Sequence, residues 1–208
     1  MKIKIIATRM ELLRLKRRLV LAKKGHKLLK EKLEELMRQF ILCVNRFKGI
    51  RGNIKELLQI GHQNFVKARA TVPKEYIESA LSVTDAKTEL KLDSAYILNI
   101  QIPKLKIEVK GDIHSYGFRD TSVSLDKALS SYYEVFEDMI KLAELEKTIY
   151  LIALEIEKTR RRVNALEYIL IPNIADAIKV ISMKLDERER ANLTRLMKIK
   201  DIIQKRKQ

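Results

Sequence analysis

From Leu12 to Ala68 the chain repeats an alternating step of three and four residues. The positions are Leu12, Leu15, Leu19, Ala22, His26, Leu29, Leu33, Leu36, Phe40, Cys43, Phe47, Ile50, Ile54, Leu57, Gly61, Asn64 and Ala68. Fourteen of these seventeen are apolar or Cys, and Lys, Arg and Glu fill most of the intervening positions. A heptad pattern sustained this long specifies a coiled-coil helix, because a narrow apolar seam can be buried only against a second helix. Thr8-Arg9-Met10-Glu11 has capping-box spacing, so the helix is expected to open there. At the rise of an α-helix it would run roughly 90 Å.

A second seam supplies the partner: Leu142, Leu145, Ile149, Ile152, Ile156, Thr159, Val163, Leu166 and Leu170. Beyond Pro172 the stripe passes to Ile174, Ile178, Ile181 and Leu185, then to Leu193, Leu196, Ile199 and Ile203, with a drifting phase. An internal proline removes a helix hydrogen bond, and phase drift alters supercoiling. A C-terminal helix over about 125–205, kinked near Pro172, is therefore expected to fold back antiparallel on the first. Only 6 Gly and 3 Pro occur in 208 residues, too little punctuation for a many-stranded barrel or sandwich.

Punctuation concentrates in the middle, where Pro73, Pro103, Gly111 and Gly117 fall between Val72 and Ser122. Tyr96–Ile102 and Leu105–Val109 partly alternate with the two-residue period of strands, predicting a short β-hairpin that turns near Pro103-Lys104. Glu75–Leu81 reads as one or two helical turns. The expected organisation is a first coiled-coil helix (1–71), a small α+β cap (72–122) and a second coiled-coil helix (123–208). The fold class is mainly α, a long antiparallel two-helix coiled coil with a β-hairpin cap. The cap has few large apolar residues and would need a partner surface for stability.

The formal charge is +16, and it is uneven. Arg9–Arg38 holds 11 basic and 4 acidic residues and Lys184–Gln208 holds 9 and 4, whereas Val72–Ser122 holds 7 and 8. In an antiparallel hairpin both basic stretches meet, so Arg9, Arg14, Lys16, Arg17, Arg18, Lys23, Lys24, Arg195, Lys198 and Lys205 form a candidate positive tip.

Motifs of catalysis are missing. The sequence contains no GxxxxGK[ST], HExxH, GxSxG or GxGxxG, and Cys43 has no second cysteine for a bridge or a zinc site. His26, His62 and His114 are scattered. No cofactor, no metal and no intrinsic enzyme activity are expected. No charge-free run approaches the 18 or so apolar residues of a membrane span, and the opening residues do not read as a signal peptide. Gly25-His26 interrupts a good helix and offers either a close approach of a partner at Gly25 with His26 touching a backbone carbonyl, or a tolerated surface glycine beside a satisfied seam histidine. Arg160-Arg161-Arg162 is either a solvated face or a docking patch. A prefoldin-like holdase and a basic nucleic-acid scaffold are the alternatives. The charged tips count against the first, and the lack of aromatic interleaving and Gly-rich loops against the second.

Residues Thr8–Leu19 (TRMELLRLKRRL) and Leu21–Lys30 (LAKKGHKLLK) resemble the N-terminal signature of the D subunit of the V-type and archaeal-type rotary ATPases. Arg161–Pro172 (RRVNALEYILIP) resembles the same family's C-terminal signature, and the two stand in the family's order. This resemblance implies a non-catalytic central rotor shaft in a proton- or sodium-translocating ATP synthase or ATPase. The shaft would turn inside a hexamer of catalytic A and regulatory B subunits, with the basic tip facing that hexamer. The F subunit of the rotor would bind its middle, and a C-type or d-type socket subunit would couple its foot to the membrane c ring. No nucleic acid and no direct membrane span are implied, and the complex would sit on the cytoplasmic face of the cell membrane. Within that reading the seam carries stiffness, through Leu12, Leu15, Leu19, Leu29, Leu33, Leu36, Phe40, Ile149, Ile152, Ile156, Val163, Leu166 and Leu170. Pro172 would supply asymmetry.

Overall fold

A computed structural model describes residues 7–82, 85–113, 116–117 and 121–206; His114 and the side chain of Lys205 lie outside the described residues. Helix α1 (Arg9–Thr71) is followed by α2 (Lys74–Ser82), strands β1 (Lys87–Ile97) and β2 (Ile100–Lys110), and α3 (Val123–Asn164). A π-helical turn, Ala165–Leu170, then leads directly into α4 (Ile171–Arg206). The fold is mainly α with one small antiparallel hairpin, as the two seams and the punctuated middle predict.

Local chemistry sets the ends of α1. The Leu12 amide makes the first helical hydrogen bond, to the Thr8 carbonyl at 3.1 Å, and the Glu11 amide donates to Thr8 Oγ1 at 3.2 Å, so the side-chain cap satisfies one donor that the first turn leaves orphaned. At the other end the Thr71 hydroxyl donates to the Ala68 carbonyl at 3.0 Å, and Pro73, which has no N–H, stops the helix. The Pro73 carbonyl then accepts from the Tyr76 amide at 3.2 Å and opens α2.

The chain gathers into two compact units. The first joins the α1 residues up to Glu35 with the segment from Glu157 onward. Its core is Leu15, Ile174, Ala177 and Ile181, flanked by Leu12, Leu19, Leu170, Ile178 and Leu185. Arg9 pairs with Glu189 and His26 with Glu167, so α1 and the α4 side run antiparallel here.

The second unit is Leu36–Ile156. In it Leu36, Cys43 and Ile152 are buried, and the half-buried Phe40, Ile149 and Ile156, with Ile100 of the hairpin, pack against them. A second cluster joins Ala68, Ile77, Tyr116 and Leu125. Between the two, Gly61 faces Tyr132: a Cβ built at Gly61 would lie 3.2 Å from Tyr132 Cε1, so the missing side chain is what lets α3 approach.

The hairpin differs from its sequence reading. It turns at Leu98-Asn99, not at Pro103-Lys104, and its strands pair from Lys87↔Lys110 to Ile97↔Ile100. Leu98 (φ 47°) and Asn99 (φ 68°) both adopt left-handed backbone, the signature of a two-residue type I′ turn, which matches the twist of the strands. Pro103 sits within β2 opposite Ser94. With Ile97 and Ile100 as the hydrogen-bonded pair that closes the turn, hydrogen-bonded pairs recur every second residue and Pro103 occupies an outward position, where a missing N–H costs the ladder nothing.

Candidate interaction surfaces along the helices

The heptad spacing of α1 turns one stripe inward. Leu15 and Leu36 are buried and Leu12, Leu19, Leu29, Leu33 and Phe40 half-buried. On the second seam Ile152 and Val163 are buried, with Ile149, Ile156, Leu166 and Leu170 half-buried. Pro172 lies in the first turn of α4 and is exposed. Just before it the Ile171 amide donates to the Leu166 carbonyl, the five-residue spacing of a π-helix. Proline brings no amide to the helix and crowds the carbonyl four residues back, so a widened turn immediately preceding Pro172 relieves a conflict that a regular α-helix would hold.

All ten basic candidates belong to the first unit. Arg14, Lys16, Arg17, Arg18, Lys23, Lys24, Arg195 and Lys198 are exposed, and Arg14 reaches Glu11 at 3.7 Å. Arg9 is exposed but already paired with Glu189. The register set by Arg9–Glu189 and His26–Glu167 puts Lys23 and Lys24 level with the π-helical turn, whereas Arg195 and Lys198 lie beyond the start of α1. The charges therefore spread over about 40 Å of helix and do not converge on one point. The Arg188 guanidinium, on the same stretch of α4, donates to the Ala7 carbonyl at 2.9 Å.

One surface escaped the sequence reading. Once α1 is exhausted at Arg9, α4 continues from Arg190 with every described side chain exposed, including Leu193, Leu196, Met197, Ile199, Ile202 and Ile203. Five of these six recur at helical spacing on one flank, so this end of α4 carries an exposed apolar stripe, without a partner among the described residues, together with its lysines and arginines. The signal was available in the lengths, since an antiparallel helix that begins at Arg9 does not itself run beside the last turns of α4.

A Cβ built at Gly25 meets no neighbouring side chain or facing backbone of this chain within 4 Å. His26 meets the Glu167 carboxylate at 3.2 Å and not a backbone carbonyl. Arg161 pairs with Glu157 one turn back, and Arg160 and Arg162 are exposed.

Among the described residues, protonation is shifted at Asp93 and Lys106 of one ion pair, at Lys141 in its pair with Asp138, and at two tyrosines, Tyr116 and Tyr133, the latter raised by burial and its hydrogen bond with Glu137. A hydrogen bond from Lys106, with its charge, holds the Asp93 carboxyl below its ordinary value, and the same contact holds Lys106 above its own. Burial raises the Tyr116 phenol, and its 2.5 Å hydrogen bond to Asp126 Oδ1 raises it further. Among the described residues no three His, Cys, Asp or Glu side chains assemble to hold a metal. Lys55, Leu58, His62 and Val66 border an open groove along α1. Such a surface suits contact with another macromolecule better than enclosure of a small substrate. No helix among the described residues is long and apolar enough to cross a membrane.

Paired long helices, a two-stranded hairpin and broad charged and apolar helical surfaces define a class: proteins that work by contact with other chains. Residues 11–201 match the family of the ATP synthase D subunit. The V-type ATP synthase D subunit of Acetivibrio thermocellus is 48% identical over 200 residues, covering 94% of this chain and 90% of that one. Those of Fusobacterium nucleatum subsp. nucleatum (45%, 98% of each chain) and Clostridioides difficile (43%, 99% of this chain and 94% of that one) are similar over the same extent. The chain belongs to the ATP synthase D-subunit family.

Proposed function

We propose that this chain is the central rotor shaft of a V/A-type rotary ATP synthase or ATPase, a non-catalytic component that transmits torque between the membrane c ring and the catalytic hexamer. Its membership of the D-subunit family along nearly the whole chain carries the reading. The family does not favour the chaperone or nucleic-acid alternatives. In the proposed arrangement the end of α4 beyond Arg190, with its apolar stripe and surrounding cations, enters the hexamer of A and B subunits. The F subunit packs on the middle of the helices, a C-type or d-type socket subunit holds the end of the second unit where Ala68, Ile77, Tyr116 and Leu125 meet, and the complex lies at the cytoplasmic face of the membrane.

The mechanism follows from asymmetry. Three chemically identical catalytic sites differ at any instant only if something asymmetric touches them, and each orientation of the shaft favours a different conformation at each site. Turning the shaft shifts those populations in sequence, and driving the chemistry turns the shaft. The inward stripes of the two seams resist bending, and the π-helical turn beside Pro172 breaks the regularity of the second helix. Many exposed cations spread over the surface attract a surrounding sleeve weakly at every angle, which permits rotation.

The test is reconstitution. A complex assembled without this chain should lose ATP-driven ion pumping and regain it when the chain is added, while the purified chain alone hydrolyses no ATP. Pumping that is indifferent to the chain, or saturable hydrolysis by the chain alone that a point substitution abolishes, would overturn the assignment.

A further inference from the structure

The two edges of the hairpin are not alike. With Ile97 and Ile100 as the closing pair, the amides of Gln101, Leu105, Ile107 and Val109 point away from β1, and Pro103 at the same set of positions has none. The β2 edge is therefore closed at its centre: Pro103 offers no donor, and the Leu105 amide donates to Glu144 Oε2 of α3 at 3.0 Å. Among the described residues the β1 edge has no such cover. Its outward amides belong to Thr88, Leu90, Leu92, Ser94 and Tyr96, and no described residue accepts from them.

Side chains tell the same story. The outward residues of β1 also share one face of the hairpin, where Leu90 is 56%, Leu92 72% and Tyr96 70% exposed. On the opposite face the charges are matched within the hairpin: Lys91 with Glu108, Asp93 with Lys106 and Glu89 with Lys110. Lys87, at the start of β1, has no acidic partner among the described residues. A two-stranded sheet is marginal in water, and an open edge beside an apolar face is a template for one more strand.

We infer that β1 is a strand-addition site: in the assembled complex an extended segment of a neighbouring protein chain pairs with its open edge and makes the hairpin a three-stranded sheet. The incoming segment alternates apolar and polar residues. Its apolar set covers Leu90, Leu92 and Tyr96, and its polar set carries an acid toward Lys87. Backbone pairing supplies affinity and the alternate side chains specificity. The inference rests on the rotor reading for the existence of the neighbour, and only the choice of edge and mode of contact is new.

Residue-resolved hydrogen exchange on the free chain and on the assembled complex tests it. Assembly should slow the amides of Thr88, Leu90, Leu92, Ser94 and Tyr96 by about 100-fold, while those of Glu89, Lys91 and Asp93, already in the ladder, change far less. Uniform slowing of both sets, or none, would overturn strand addition. Ser94→Pro places a proline opposite Pro103 and removes one outward donor without touching the ladder; it should weaken assembly about tenfold. Leu92→Asp should weaken it as well. Loss with Leu92→Asp but not with Ser94→Pro would mean side-chain contact without strand pairing and reject the inference. Failure of the rotor reading looks different, because the natural chain would not restore pumping at all, and the inference would fall with it.

Discussion

His26 Nε2 lies 3.2 Å from Glu167 Oε2, and this contact ties the middle of the first unit's α1 segment to the π-helical turn. Glu167 points at His26 because of where that turn places it. Both side chains are partly solvated, so a double-mutant cycle on His26→Ala and Glu167→Gln should give a coupling of about 0 to 1 kcal/mol. Pro172→Ala restores an amide and removes the ring, which lets Ala165–Leu170 tighten toward α-helix and rotates Glu167 relative to α4. The coupling should then vanish. A cycle unchanged by Pro172→Ala would show that proline is not what holds the widened turn.

Two helical glycines should respond oppositely to alanine. Gly25 has open space around a built Cβ, so Gly25→Ala should stabilise by about 0.5 to 1 kcal/mol through helix propensity alone. At Gly61 the new methyl meets Tyr132 Cε1 at 3.2 Å and Ser131 Cβ at 3.4 Å. Moving Tyr132 also disturbs its 3.1 Å hydrogen bond with His62 Nδ1. Gly61→Ala should therefore gain nothing or lose about 1 kcal/mol. Denaturant unfolding followed by circular dichroism separates the two, and equal gains would contradict the packing at Tyr132.

The Tyr116 phenol provides a pH signature. Its ordinary value is 10.0, and burial with the Asp126 hydrogen bond raises it in the folded chain. The folded state therefore holds this proton more tightly than the unfolded state above pH 10. Stability contributed by Tyr116 is fully present below pH 10 and falls as pH rises above it. Tyr116→Phe should cost about 1 to 2 kcal/mol at pH 8 and flatten the alkaline loss of stability. Equal alkaline slopes in the two proteins would show that Tyr116 ionises freely.

The sequence carried the helices more fully than the hairpin, for physical reasons. A heptad repeats its signal many times, so Leu15, Leu36 and Ile152 could be placed on an inward stripe without knowing their neighbours. A hairpin turn is decided by two residues. Pro103 attracted the turn because proline usually punctuates, yet an outward position on an edge strand tolerates it. Meanwhile Leu98 adopted a left-handed backbone that leucine ordinarily avoids. The alternation Lys87-Thr88-Glu89-Leu90-Lys91-Leu92-Asp93 was the signal that would have extended β1 and moved the turn. The apolar flank of α4 from Leu193 onward was visible as a pattern, but its exposure depends on where its partner helix begins, a property of two segments together.

The end of α4 and the basic face should bind the hexamer by physically distinct means, and salt distinguishes them. Replacing Arg14, Arg17, Arg18 and Lys24 together by Gln removes screened, long-range attraction, which acts over about 8 to 10 Å at ordinary ionic strength. Each exposed charge contributes only about 0 to 1 kcal/mol, so single substitutions should be mild, while the fourfold variant should bind more weakly and lose much of its salt dependence. Leu196→Ser with Ile203→Ser removes apolar area from an already exposed flank, where folding has little to lose. That variant should keep the stability of the natural chain and bind the hexamer more weakly at every salt concentration, with an unchanged slope. The measurement is affinity for the hexamer against salt for the three proteins. An unaltered slope in the fourfold variant would reject the electrostatic part. Unaltered affinity after both serine substitutions would remove the apolar flank of α4 from the contact.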